Sequence, residues 1–174
     1  SGLTSPNIDT TSSGGGTSEA DLARLLALLE ESDLRYEQVS DDGWSTEYAG
    51  NNVETVTVFF SAYEEFALVY SYVDNSSDLT SEQMADMLRL NYAIDLARTS
   101  LDGDDDIAVL AQAELRRLDG PALELIAEDV ALLADEVAGM LNAADVETEV
   151  AADLTRLGTV GANTLSLLEG HLEI

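Results

Sequence analysis

Cysteine and lysine are both absent from this chain. Without cysteine there is no disulfide framework, no thiolate nucleophile and no thiolate metal ligand. Histidine occurs once, as His171 close to the C-terminal end. A Ser/His/Asp catalytic set or a histidine metal site would therefore have to be anchored on a tail, which leaves the imidazole without the fixed geometry such chemistry needs. No run of about 18 apolar residues exists. The richest stretch, Leu123 to Leu141, is interrupted by Glu124, Glu128, Asp129, Asp135 and Glu136, so no transmembrane segment is expected. Gly14-Gly15-Gly16 follows no strand and precedes no lysine, which removes a phosphate-binding loop.

What the chain has in excess is negative charge. Across 174 residues, 35 Asp and Glu face only 7 basic residues, all arginine, for a formal net charge of −28. Such a field repels phosphate backbones and anionic membranes, because both are bound by cations that displace counterions. Nucleic acid is excluded as a partner class on that ground. Self-repulsion of this size also opposes the compact state at low ionic strength, and molar salt screens it within about 3 Å. An acidic, lysine-free surface fits a protein adapted to high salt; an acidic protein from a high-GC bacterium is the alternative. Hydrophobic residues make up 45% of the chain, enough for one globular domain with a true core.

Residues 1–17 form a Ser/Thr/Gly-rich stretch whose single charge is Asp9, and they read as a flexible tether. Such a tether is common after a removed signal or lipid-anchor segment, and an ordinary frayed terminus is the equal alternative. Localisation accordingly stays open between cytoplasmic and exported. The ordered domain is expected to span residues 18–142. Ser18 with Asp21 forms a capping signal, followed by Leu22, Leu25, Leu26 and Leu29 on one helical face. Strands are expected at Leu34–Ser40 and Trp44–Ala49 around the turn Asp41-Asp42-Gly43, then at Val53–Ser61 and Phe66–Val73. Asn75-Ser76-Ser77 matches an N-glycosylation acceptor, relevant only to an exported protein.

Thr80 and Gln83 carry a second capping box, and Met84, Met87, Leu88 and Asn91/Tyr92 fall on one face of the helix that follows. Asn91 beside an apolar stripe either orients the next strand through a polar contact or is an exposed helix-end residue. Two more strands follow, Ile94–Leu101 and Asp106–Leu115, with Gly103 expected to supply the positive φ of their turn. Asp102, Asp104, Asp105 and Asp106 invite a calcium reading. Aligned on an EF-hand loop, however, Ile107 stands where glycine is needed and Ala113 where the bidentate glutamate is needed. Paired acids such as Glu64-Glu65 are expected by chance at this composition. No catalytic, cofactor-binding or metal-ligating set is therefore expected.

A third helix opens at Asp119-Gly120-Pro121 and runs to about Asn142. Its apolar arc comprises Leu125, Ile126, Val130, Leu132, Leu133, Val137, Met140 and Leu141, and is wider than one sheet face requires. It fits an interaction surface for a protein partner or a second copy; alternatively, residues 143–174, which read as a C-terminal helical extension, fold back over it.

The fold expectation is α+β, an antiparallel sheet covered by helices in the order α-β-β-β-β-α-β-β-α. With Met87-Leu88-Arg89-Leu90-Asn91, Ala97–Leu101, the turn Asp102-Gly103-Asp104, Ile107–Leu115 and Leu118-Asp119-Gly120-Pro121, the chain resembles the YbjN-domain family, which shares the fold of type III secretion chaperones. The resemblance covers roughly residues 18–142. It implies a non-enzymatic, commonly homodimeric module that binds protein or regulates. The competing expectation is an exported domain binding a small solute or glycan, or a hydrolase not betrayed by its motifs.

Overall fold

The structure, a computed structural model, describes residues 17–75 and 79–143. Residues 1–16, Ser76 and Ser77 of the acceptor motif, residues 144–174 and with them His171 lie outside the described residues, as does the side chain of Asn75. The observed order is α1 (Glu19–Glu31), β1 (Tyr36–Ser40), β2 (Gly43–Ala49), β3 (Thr55–Tyr63), β4 (Phe66–Asn75), α2 (Ser81–Ala93), β5 (Arg98–Leu101), β6 (Asp106–Glu114), a 3-10 turn (Leu115–Arg117) and α3 (residues 120–143). This is the α-β-β-β-β-α-β-β-α order expected.

The helix starts follow from local chemistry. The Ser18 hydroxyl accepts the amide of Asp21, and Thr80 with Gln83 completes both halves of a capping box. At α3 the Asp119 carboxylate accepts the amide of Ala122 at 2.8 Å, and Pro121 sits in the first turn, where it has no intrahelical donor to lose. These contacts satisfy amides that a helix start otherwise leaves without partners.

All six strands are antiparallel in the order β1-β2-β3-β4-β6-β5, so the crossover through α2 places β5 at the edge and returns β6 to the middle. One face carries the core: Trp44 opposite Phe60, Thr46 opposite Val58 and Tyr48 opposite Val56, continued by Val69, Ala111 and Val109. Against it pack Leu25, Leu28 and Leu29 of α1, Met87 of α2, and Leu123, Val130, Leu133 and Val137 of α3. Phe60 is the largest side chain with no exposed surface; its truncation to alanine would cost about 3–5 kcal/mol.

Three expectations need correction. Ile94–Ala97 is a connection rather than strand, because Ile94 caps α2 in extended backbone and the β5 ladder begins only at Arg98 opposite Leu110. Val53 likewise precedes β3, its amide being held by Asp135 instead of a strand. In the β5–β6 turn the positive φ belongs to Asp105 (64°), and no glycine among the described residues has one. Asp102 makes this possible: its Oδ1 accepts the amides of Asp104 and Asp106, both at 2.9 Å, which fixes the turn without help from Gly103.

Candidate functional site

The eight residues expected to form one interaction surface on α3 are divided by the structure. Val130, Leu133 and Val137 are fully buried, Ile126 and Leu141 nearly so, and Met140 is partly buried against the same core. Only Leu125 and Leu132 remain about half exposed. The arc is wide because α3 is enclosed on two flanks as well as by the sheet. On one side its start abuts α1: Arg24 donates to the Leu118 carbonyl at 2.7 Å, the Asp33 amide to Glu124 at 3.3 Å, and Gly120 lies against the Glu31 backbone. On the other side Asp135 holds the β2–β3 connection. Side chains filling the chain's own core are not offered to a partner, so most of the expected surface is core.

Asp135 is the most constrained ionisable group of the site region. It is 3% exposed and accepts hydrogen bonds from the amides of Asn51, Asn52 and Val53 and from Asn52 Nδ2, at 2.9–3.2 Å. Burial pushes its carboxyl up, but these donors, the Asn52 and Val53 amides foremost, outweigh burial and hold it below the usual carboxylate range. Beside it is a cleft of about 170 Å³ lined by Tyr48, Gly50, Asn51, Glu128, Leu132 and Asp135. The buried Tyr48 hydroxyl, which finds no hydrogen-bond partner among the described residues, is pushed up to about 12 by burial and then by Glu128 and Glu124. A tyrosine so hard to ionise, and an Asp135 carboxylate already committed to three backbone amides, are both poorly suited to general acid–base work.

Helix α2 departs most from its sequence pattern. It packs on β5 at the sheet edge, and Met87 is its one fully enclosed side chain, flanked by the partly buried Leu90 and Ile94. Asn91 orients the next strand: its Oδ1 accepts the Thr99 amide at 2.6 Å and the Thr99 hydroxyl at 2.9 Å. Met84, Leu88 and Tyr92, expected on the same face as Met87, instead point away from the core, with exposures of 41, 68 and 96%. They stand at i, i+4 and i+8, one row along the outer side of the helix. Leu96 in the following connection and Leu101 on β5 are also exposed. Sequence periodicity grouped Met84, Leu88 and Tyr92 with Met87; it could not show that α2, packed on the edge strand β5, buries Met87 and leaves the other three exposed.

The fold so defined is the α+β fold of YbjN and the type III secretion chaperones. Among solved structures the chain superposes on YbjN from E. coli with a TM-score of 0.53 at 12% identity, covering 71% of this chain and 93% of that one. It also superposes on a chain of the heterodimeric ExoU-SpcU complex from the type III secretion system of Pseudomonas aeruginosa, with a TM-score of 0.51 at 15% identity, covering 65% of this chain and 93% of that one. No family model matches the chain. No curated protein matches it either. Among the described residues no helix is long and apolar enough to cross a membrane.

Proposed function

We propose that this protein is a non-enzymatic, chaperone-like protein-binding module that self-associates through α2 and is adapted to high salt by its acidic, lysine-free surface. The observation that carries the reading is the exposed row Met84–Leu88–Tyr92, with the exposed Leu96 in the connection that leads to the edge strand β5. A contiguous exposed apolar patch beside an edge strand is what an interaction surface looks like, and left open it invites aggregation. The ExoU-SpcU heterodimer, in which a chain of this fold takes part, supports the protein-binding reading. Leu125 and Leu132 on α3 supply a second, smaller apolar spot for a client.

The competing solute- or glycan-binding reading would be favoured by an aromatic pocket containing Trp44. That residue is 5% exposed and sits opposite Phe60 in the core, so its ring is not offered to a ligand.

Pairing two copies doubles the charge from −28 to −56, so association should strengthen as salt rises. Light scattering in molar salt is expected to give about twice the 18.6 kDa chain mass. The double variant Leu88→Asp, Tyr92→Ser, altering two exposed side chains, should give the single-chain mass with an unchanged circular dichroism spectrum. A wild-type chain that stays monomeric at every salt concentration, or a variant that dimerises as well as wild type, would sink the proposal.

A further inference from the structure

The central strand β4 is built the wrong way round for an ordinary one-sided sheet. Its small side chains, Ala67, Val69 and Ser71, face the helices, whereas Phe66, Leu68, Tyr70 and Tyr72 face outward. An uncovered antiparallel face normally carries polar residues at such positions. Here the Phe59 and Tyr70 rings stack with centroids 5.4 Å apart, and Tyr70 meets Tyr72 edge to face at 5.7 Å. A cleft of about 330 Å³ lies on either side of Tyr72. One is lined by Leu68, Tyr70 and Leu110, with Ser100 and Asp102. The other opens beyond the pair Phe59–Tyr70, where the β3/β4 ladder stops, and reaches Ala134 and Ala138 of α3. Tyr72 lines both and is 55% exposed.

We infer that this face docks an extended, arginine- or lysine-bearing segment of a partner protein, with one cation seated on Tyr72 and apolar side chains in the two clefts. The charge around the aromatic row selects the partner. Asp102 lines one cleft, and Asp42 lies close enough to help raise the Tyr70 hydroxyl, after burial and Tyr72. Arg98, at the far edge opposite Leu110, is the only cation among the described strand residues of this face. Exposed tyrosine rings attract cations through their quadrupole, and neighbouring carboxylates add to that attraction. An anionic or neutral segment would gain neither.

This deepens the protein-binding reading but uses the sheet face opposite the helices, so it fails separately from the α2 proposal: one is read as mass, the other as peptide affinity. The probe is a fluorescent peptide of about ten residues alternating valine with arginine, long enough when extended to cross the six-stranded sheet. A glutamine-for-arginine counterpart serves as control. Titrations use the full chain in molar salt, where screening within about 3 Å suppresses long-range attraction and spares contacts.

The arginine peptide is expected to bind measurably and its counterpart at least about tenfold more weakly; Tyr72→Ala and Tyr72→Leu should each weaken the arginine peptide about tenfold. Neither substitution changes the net charge, so wild-type affinity in Tyr72→Ala would overturn the inference by reducing binding to bulk attraction. Wild-type affinity in Tyr72→Leu, or equal binding of the two peptides, would overturn it by removing the cation. A lower oligomeric mass for Tyr72→Ala would overturn it by assigning this face to a second copy.

Discussion

Asp135 on α3 grips Asn52 twice, accepting its backbone amide at 2.9 Å and its side-chain Nδ2 at 3.0 Å, and so ties the β2–β3 connection to the helix that crosses the sheet. Removing the carboxylate leaves the amides of Asn51, Asn52 and Val53 without their acceptor. Asp135→Ala should cost about 3 kcal/mol or more in urea unfolding. Asp135→Asn, which retains one acceptor oxygen but points an amide donor at donors, should lose nearly as much.

The same residue predicts a pH dependence. Its folded pKa lies below the ordinary value, so its contribution is fully present above the unfolded carboxylate pKa of about 3.9 and is lost as pH falls through the lower folded value. The stability difference between wild type and Asp135→Asn should therefore be constant near neutrality and shrink only under acid, below about pH 4. Taking the difference cancels the relief of repulsion that protonating other carboxylates brings. A gap that closes at pH 6 would contradict the assignment.

Asn91 and Thr99 test the α2–β5 junction. Asn91→Leu keeps the branching of the side chain but replaces its polar amide with methyl groups, and so strips the Thr99 amide and hydroxyl of their shared acceptor. It should destabilise by about 1–3 kcal/mol and raise amide exchange at Thr99. Unchanged exchange there would show the contact to be incidental.

Gly120 has no room for a side chain: a Cβ would stand 2.5 Å from the Glu31 carbonyl carbon and 2.6 Å from its oxygen. Both are backbone atoms, so relief requires α1 and α3 to separate. Gly120→Ala should cost about 1–3 kcal/mol although alanine is the better helix former, as a lowered melting temperature would show.

Ion pairing leaves the charge excess standing. The described pairs, Arg24–Glu31, Arg89–Asp86, and Arg116 and Arg117 with Glu114, join side chains in contact with solvent, where ion pairs add little to stability. The melting temperature is expected to climb steeply from low to molar salt. A melting curve indifferent to salt would remove the case for halophilic adaptation.

Local chemistry was the legible part of the sequence. Ser18, Thr80 with Gln83, and Asp119 announced their helices because a cap involves residues three apart, and the alternation in β3 and β4 announced strands for the same reason of short range. Asn91 could be singled out as a polar residue out of place, though not its partner. The outward row on α2 and the buried arc on α3 were not legible, since both depend on which neighbours lie beside a helix: β5 for the first, α1 and the Asn51–Val53 connection for the second. Nor does the pattern of β4 say which of its two faces meets the helices, because aromatics outward and aromatics inward alternate identically.

Between β3 and β4 the ladder holds only from Tyr63–Phe66 to Phe59–Tyr70. Beyond that point the backbone pairing of β3 is with β2 and that of β4 with β6, and the Ser71 hydroxyl, donating to the Thr57 carbonyl at 2.8 Å, is a bridge left between them. The six strands are in effect two three-stranded leaves sharing a short spine. Ala134 and Ala138 of α3 lie at the gap, so that helix is the clasp across the open edge. Anything that loosens α3, such as loss of the Asp135 anchor, should let the leaves part before either one melts.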